Sequence, residues 1–203
     1  MAGKTVEESK RAKLYNTIME VLEEKYVELS VEKFVSTEDF KNNMAQIQCS
    51  FSETQGDKKR IEKLECSGRG LIDATFEGLL DHYSQDYKSL KNIAFVEFAI
   101  KPDFKTSETS GSDASVEVII EFLNSSKKIM TFRKTSRSIL SASVECVFAA
   151  MEFYINSELA FRRLKFLISD AKKRSRGDLL SLYRYQIASI VSVTSYEDVV
   201  RSK

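Results

Sequence analysis

The chain has 203 residues, of which 42% are hydrophobic, and it contains 13 Phe, 8 Tyr and a single Pro. This length and composition predict one folded domain, or one domain with an added helical segment, and they argue against disordered linkers. The 31 Lys and Arg nearly balance the 30 Asp and Glu. That balance excludes the strongly basic composition expected of proteins that bind nucleic acid or anionic membranes.

The sequence indicates a cytoplasmic protein. Residues 1–11 are polar, and the apolar runs are shorter than the roughly 20 residues that cross a bilayer, so neither a signal peptide nor a membrane span is expected. The three cysteines are odd in number and widely spaced, at Cys49, Cys66 and Cys146. We therefore expect reduced core cysteines without a disulfide or a metal site.

The lone histidine, His82, weakens most catalytic interpretations. A Ser-His-Asp or Cys-His site would have to use it, and no nucleophile motif lies nearby in the sequence. The spacings typical of metal ligands are also missing. We interpret His82 as a helix residue at or near the surface, and we predict no catalytic residue, no metal and no cofactor.

A helix, three strands and a second helix are predicted for the first part of the chain. Apolar residues at helical spacing place the first helix within 7–26. The clearest half-buried strand is the one in which polar residues alternate with Ala45, Ile47, Cys49 and Phe51. The remaining predictions are strands at 27–31 and 60–66, a turn at 54–57 and a helix from 71 to about 86.

The same βββα order is predicted a second time. Its elements are a strand within 92–100 that Pro102 ends, a polar loop at 103–114, strands at 116–122 and 129–134, and a helix N-capped by Thr135 or Ser136 that ends at Asn156. The first of these strands has two apolar faces, one formed by Ala94, Val96, Phe98 and Ile100 and the other by Ile93 and Phe95. Apolar residues on both faces predict a contact with a partner subunit in a homodimer.

Helices alone are predicted after residue 157. They occupy 158–171 and a segment N-capped by Asp178, joined by a basic turn at 172–177. We interpret that turn as a solvated helix junction rather than a nucleic-acid contact. The predicted fold class is α+β, with two βββα units forming a pseudo-duplicated domain at 27–157, an N-terminal helix or linker at 1–26 and a helical extension at 158–203.

In each βββα unit, the third strand is followed by a turn of small residues that begins the helix. The two turns lie within 66–76 and 134–143. The first N–H groups of a helix are free, and they lie at the positive end of the helix dipole, so paired helix starts are a natural anion site. A small carboxylate ligand at such a site favours a sensor over a catalyst.

Three segments resemble the C-terminal regulatory, or allosteric and dimerisation, domain of the 2-isopropylmalate synthase and citramalate synthase family. Residues 68–74 are Gly-Arg-Gly-Leu-Ile-Asp-Ala, where that family has Gly-x-Gly-Pro-Val-Asp-Ala. Residues 111–118 resemble its Gly-x-Asp-Ala-x-Gly-x-Val element, and 136–143 its Ser-x-Asp-Ile-Ile-x-Ala-Ser helix entry. The departures from the family pattern are Leu71 for proline, Ser115 for glycine and Ser138 for aspartate.

The resemblance implies a regulatory module of branched-chain amino-acid biosynthesis. The effector it implies is leucine or isoleucine, which feedback-inhibits an acetyl-CoA-dependent synthase, and the implied partners are a second copy of the chain and a catalytic synthase domain or subunit. The catalytic barrel of such a synthase has no counterpart in these residues, so we expect this chain itself to be non-catalytic. The ligand-binding residues that the resemblance and the turns indicate are Gly68, Gly70, Leu71, Asp73, Ala74, Asp113, Ala114, Ser136 and Ile139.

Two other functions stay open at the level of sequence. The three departures favour a degenerate, structural dimerisation or protein-interaction domain that binds no ligand. A small independent enzyme is disfavoured, because no nucleophile, metal or cofactor motif is visible. Several candidate residues also have structural interpretations: the glycines serve a tight strand-to-helix turn, Asp73 is an ordinary first-turn carboxylate, and Ile139 packs in the core.

Overall fold

A computed structural model describes residues 2–102, 115–124 and 127–191 of the chain, with side chains from residue 11 onward. It contains two three-stranded sheets, each followed by a helix, with a helix before them and helices after them. The elements are α1 (Ala2–Leu22), β1 (Val27–Asp39), β2 (Met44–Gln55), β3 (Lys58–Gly68), α2 (Leu71–Tyr83), β4 (Ala94–Pro102), β5 (Val116–Leu123), β6 (Ile129–Ser136), α3 (Ile139–Lys173) and α4 (Gly177–Val191). Short 3₁₀ turns at Glu23–Lys25 and Lys88–Asn92 precede β1 and β4. The α+β prediction with two βββα units is confirmed.

The first sheet is antiparallel in the order β1-β2-β3. Its central strand carries the predicted alternation, with Ala45, Ile47, Cys49 and Phe51 all buried on the face toward the helices. Because side chains alternate between the two faces of a strand, this pattern fixes which face of the sheet meets the core. Strands β1 and β3 are longer than predicted, because each of them continues into exposed polar residues beside a hairpin turn.

The second sheet is antiparallel in the order β4-β5-β6 and buries Val118, Ile120, Phe122 and Phe132. The predicted apolar face of its edge strand β4 is partly wrong. The strand register shifts between Phe95 and Glu97, so Phe95, Phe98 and Ile100 lie opposite the inward residues of β5 and Ala94 does not. A bulge inserts one unpaired residue, and the residues before it therefore change faces.

Helix α3 is one continuous helix of 35 residues, and the predicted end at Asn156 with a new helix at 158 is wrong. The polar pair at that point bonds within the helix instead of ending it: Asn156 Nδ2 donates to the Glu152 carbonyl at 2.9 Å, and Ser157 Oγ donates to the Phe153 carbonyl at 2.7 Å. Both residues are fully buried. A polar pair therefore marks a tertiary contact here and does not break the helix.

The same helix is long and apolar enough to cross a membrane by length and composition, which the sequence analysis did not expect. Two thirds of its apolar window, 67%, is buried inside the protein. That burial is typical of the core helix of a soluble protein, because a membrane-spanning helix would present its apolar side chains to lipid.

The two units interlock into one core. Phe148 of α3 lies 5.2 Å from Phe51 of the first sheet, and Phe76 of α2 lies 4.8 Å from Phe122 of the second sheet, measured between ring centroids. Each helix thus contacts the sheet of the other unit. α1 packs on α3 through Tyr15, whose ring lies 5.0 Å from that of Phe153. The N-terminal helix is consequently part of the same hydrophobic core.

Candidate functional site

The turn before α2 is built by two glycines with different roles. Gly70 is the residue before the helix and has φ +82° and ψ 158°, a backbone conformation that only glycine adopts readily. A Cβ on Gly68 would lie 3.0 Å from the Cα and Cβ of Ala74. Gly68 therefore lets β3 approach the first turn of α2, and Gly70 lets the chain reverse into the helix.

The other candidates in this turn differ in accessibility. Asp73 is exposed in the first turn of α2, Leu71 is half-buried, and Ala74 is 1% exposed. No side chain caps the helix start, since Gly70 stands at the N-cap position. The accessible chemistry of this turn is thus a carboxylate beside backbone N–H groups, which suits a ligand ammonium or a polar group.

The turn before α3 uses serines where the first turn uses glycines. Ser138 is the N-cap, and its Oγ accepts a hydrogen bond from Ser141 N at 3.2 Å. The predicted caps, Thr135 and Ser136, lie instead at the end of β6, and Ser136 Oγ accepts from Ser138 N at 3.2 Å. Ile139 is 48% exposed. Its predicted alternative role in core packing is therefore wrong.

A cavity of about 420 Å³ lies next to this second turn, between β1 and the first half of α3. Its apolar wall is formed by Leu29, Val31, Phe34, Leu140, Val144 and Phe148. Its polar groups are Ser30, Lys134, Ser138, Ser141, Glu145 and Glu152. The lining is thus about as polar as it is apolar, whereas most small-ligand pockets are predominantly apolar.

Glu152 lines the cavity and is hydrogen-bonded to β1. Its carboxylate accepts hydrogen bonds from Leu29 N and from the Tyr26 hydroxyl, both at 2.9 Å. Burial raises the pKa of Glu152, and the two hydrogen bonds oppose that shift because they favour the charged form. Lys134 also lowers the pKa of Glu152 through its charge, so the two residues interact across the same cavity.

The structure separates the predicted ligand-binding residues into two groups. α2 packs over β2 and β3, whereas the start of α3 borders β1, which is the opposite edge of the first sheet. The cavity next to Ser138 takes its lining from β1, β6 and α3. This cavity therefore takes no lining residue from the turn before α2. The remaining candidates, Asp113 and Ala114, lie outside the described residues.

Sequence reasoning missed the charged residues of the cavity. Lys134 and Glu145 lie in exposed positions of β6 and α3, and Glu152 lies among apolar helix residues. Each belongs to an ordinary strand or helix pattern. What unites them is that they line one cavity with residues of β1, which lie about a hundred positions or more away in the sequence, and local patterns do not report such long-range proximity.

The cysteines and the histidine occupy structural positions. Burial raises the pKa of the Cys49 and Cys146 thiols to about 11, which keeps them protonated at neutral pH. His82 is exposed on α2, with its ring 5.9 Å from that of Phe51. Within the described ranges, no three His, Cys, Asp or Glu residues lie close enough to hold a metal ion.

Comparison with known proteins completes the description of the site. No curated protein matches the chain. A family model described as the LeuA allosteric (dimerisation) domain matches residues 8–155, which is well over half of the chain. The match begins inside α1 and ends inside α3, so it spans both βββα units. It supports a regulatory role and a homodimer, as the resemblance of the two turns implied. The chain belongs to the family of LeuA allosteric (dimerisation) domains.

Proposed function

We propose that this chain is the effector-binding regulatory domain of a cytoplasmic, acetyl-CoA-dependent synthase of branched-chain amino-acid biosynthesis, and that leucine or isoleucine is its inhibitory effector. The observation that carries the proposal is the family match across both βββα units. A regulatory domain acts when its ligand prefers one state of the dimer and thereby biases the attached catalytic part. The catalytic part is a separate domain or subunit in this proposal.

The effector site in this proposal includes the turn before α2. Asp73 is exposed at the helix start, where its carboxylate would bind the ammonium group of an amino acid. The open conformation at Gly70, with no atom within 4 Å of a Cβ placed there, leaves room for a ligand to approach the backbone. Leu71 would contact the apolar side chain of the ligand, and Asp113 and Ala114 stay candidate ligand residues from the sequence alone.

A thermal-shift series tests the effector. A ligand that binds only the native state at 100 times its dissociation constant stabilises it by about 2.7 kcal/mol, which for a chain of this size corresponds to roughly 5 to 10 °C. We expect leucine or isoleucine to raise the melting temperature selectively, and serine and glutamate to leave it unchanged. Equal shifts with all amino acids, or none with any, would contradict the proposed effector.

The dimer interface in this proposal is the free edge of the second sheet. β4 is an edge strand, and three of its apolar side chains are accessible: Val96 is 48%, Phe98 37% and Ile100 43% exposed. An exposed apolar edge strand favours association with another chain. A second copy pairing about a two-fold axis would cover both edges at once.

Light scattering of an edge variant tests this interface. We expect Phe98→Glu to convert the dimer to a monomer, because it would bury two charges opposite each other at the two-fold contact. Ile61→Glu is the matched control, since Ile61 is 56% exposed on β3, an edge strand of the other sheet. A dimer that survives Phe98→Glu would place the interface elsewhere.

A ligand-free structural module is the alternative function. It is favoured by Leu71, Ser115 and Ser138, which replace residues of the family pattern. The helical segment after the family match also exposes Phe166 and Tyr185, at 70% and 74%, as a surface suited to a protein partner. This alternative predicts a stable dimer whose melting temperature does not respond to any amino acid.

A further inference from the structure

We infer that the segment joining the two βββα units, residues 84–93, is a strap that α3 holds closed and that opens locally without unfolding the rest of the domain. The strap runs from the end of α2 to the start of β4 and includes the 3₁₀ turn Lys88–Asn92. The hydrogen bonds of a 3₁₀ turn have poorer geometry than those of an α-helix, so a connector of this kind opens more easily. Two residues of α3, Glu158 and Arg162, bind the strap through polar contacts.

Glu158 is a fully buried carboxylate, with 0% of its side chain exposed. One of its oxygens accepts hydrogen bonds from Ser89 N at 2.9 Å and from Ser89 Oγ at 2.6 Å. The other oxygen forms an ion pair with Arg162, one helical turn further along α3. A buried carboxylate needs such partners because it has lost its hydration. The strap therefore supplies two donors to a charge that burial alone would make unfavourable.

Arg162 contacts the strap as well as Glu158. Its guanidinium donates to the Asp86 carbonyl at 2.7 Å and lies 5.9 Å from the centroid of the Tyr87 ring. The side chain of Arg162 is 44% exposed, so it can exchange these contacts for water at little cost. Glu158 and Arg162 both follow the residues that the family model matches, which end at 155. The helical extension therefore closes a segment that belongs to the family domain.

Both ends of the strap are fixed to the sheets, which confines its opening. Tyr83, the last residue of α2, donates from its hydroxyl to Glu53 of β2 at 2.8 Å. After the strap, Ala94 begins the pairing of β4 with β5. These contacts do not involve the two residues of α3 that close the strap. The sheets consequently stay intact while the strap opens.

The free-energy balance of the strap favours a segment with two states. Closure buries Leu90, which is 0% exposed, and forms the bonds from Ser89 to Glu158. Opening returns water to the carboxylate of Glu158, which recovers the hydration that burial of an ion pair forfeits. Because these contributions oppose each other, the open state lies below the free energy of global unfolding. Opening would expose Leu90 and a carboxylate at the junction of the two units.

Hydrogen exchange of the full chain, resolved to single amides by NMR, tests the strap. The reporters are the amides of Tyr87 and Leu90, which donate to the Tyr83 and Tyr87 carbonyls and so report opening of the strap rather than loss of one contact with α3. The reference amides are those of Ile47 and Cys49 in β2, the central strand of the first sheet, because they report global unfolding.

Two variants weaken the closure in different ways. Arg162→Met leaves the buried carboxylate without its cation, and Ser89→Ala removes its hydroxyl donor. Arg163→Met is the matched control, because Arg163 is the next residue of α3 and donates to the Leu22 carbonyl at 3.2 Å, away from the strap. Circular dichroism and light scattering establish that each variant is folded and has the oligomeric state of the wild-type protein.

We expect the reporters to exchange at least about tenfold faster in Arg162→Met and several-fold faster in Ser89→Ala, while the reference amides change by less than about threefold. The control should leave the reporters at the wild-type rate. Reporters that exchange in both variants as they do in the control would overturn the inference. Equal acceleration of the reporters and the reference amides would overturn it as well, because the opening would then be global.

The double variant Glu158→Gln/Arg162→Met sharpens the assignment to the buried charge. A glutamine oxygen still accepts from Ser89, and no uncompensated charge remains, so the reporters should return most of the way to the wild-type rate. A double variant as fast as Arg162→Met would overturn the assigned role of the carboxylate. These measurements require no ligand, so their outcome is independent of the proposed effector.

Discussion

The two strand-to-helix turns occupy the same place in their βββα units, but they are built from different chemistry. The first uses glycine for a positive φ at Gly70 and for a close approach at Gly68, and it has no side-chain cap. The second uses Ser138 as a hydrogen-bonding N-cap and borders a cavity. Backbone conformation therefore determines the first turn, whereas side-chain hydrogen bonds determine the second. The duplicated topology constrains the positions of the helices more strongly than it constrains the residues that begin them.

Substitution of the glycines is expected to give the largest effect. Gly70→Ala places a Cβ on a residue with φ +82°, and Gly68→Ala places one 3.0 Å from Ala74. Each change should lower the free energy of unfolding by about 1 to 3 kcal/mol, through backbone strain in the first case and overpacking in the second. Urea denaturation of the purified dimer measures both values.

Gly177→Ala is the matched control for the glycine variants. A Cβ on Gly177 would meet no atom within 4 Å, and the residue begins α4. It should be neutral or slightly stabilising, because alanine loses less entropy in a helix than glycine does. If all three glycine variants lost the same stability, the special roles of Gly68 and Gly70 would be wrong.

The pH dependence of stability separates the half-buried carboxylate of Glu152 in α3 from the exposed carboxylate of Asp73 at the first turn. Burial raises the pKa of Glu152 above its ordinary value of 4.5, so the native state retains this proton to higher pH than the unfolded chain does. The contribution of Glu152 to stability should therefore fall as the pH rises from about 4.5 through the raised native pKa, by at most about 1.4 kcal/mol per pH unit.

The measurement compares urea unfolding of the wild-type protein and Glu152→Gln between pH 4 and pH 8. The stability of the wild-type protein relative to the variant should decline with increasing pH. Asp73→Asn controls for the change of one unit in net charge, since Asp73 is exposed. A wild-type protein that gains stability relative to Glu152→Gln over this range would contradict the assigned direction.

Local patterns in the sequence predicted the two βββα units, because alternation and helical spacing directly reflect which face of each element is buried. They placed the central strand of the first sheet and the start of α2 correctly. They missed the register shift in β4 and the continuity of α3 through Asn156, which donates to the Val27 carbonyl at 2.7 Å. Both misses depend on long-range contacts, and an isolated segment carries no record of its partner.

The candidate site was predictable only in part, for the same reason. The turns could be found because glycine and serine before a helix are local signals. The cavity between β1 and α3 could not, since Leu29 and Phe148 meet only after both units have folded. The charged residues that line the cavity are therefore those that the sequence analysis did not single out.

Exchange of the cap of α3 gives the smallest expected effect and sharpens the comparison of the two turns. Ser138→Ala removes the hydrogen bond that Ser141 N donates to Ser138 Oγ and should cost about 1 kcal/mol of unfolding free energy. Ser138→Asp restores the residue of the family pattern at this position. It should match the wild-type protein or exceed it by a few tenths of a kcal/mol, because a carboxylate accepts the same bond and interacts favourably with the helix dipole.

Thermal unfolding of both Ser138 variants at low ionic strength provides the measurement. The advantage of aspartate should shrink as salt is added, because the interaction with the helix dipole is screened, while the cost of alanine should persist. If Ser138→Asp is less stable than Ser138→Ala, the cap is not the reason for serine at this position. A negative charge would then be unfavourable beside the cavity, where Glu145 and Glu152 already supply two carboxylates.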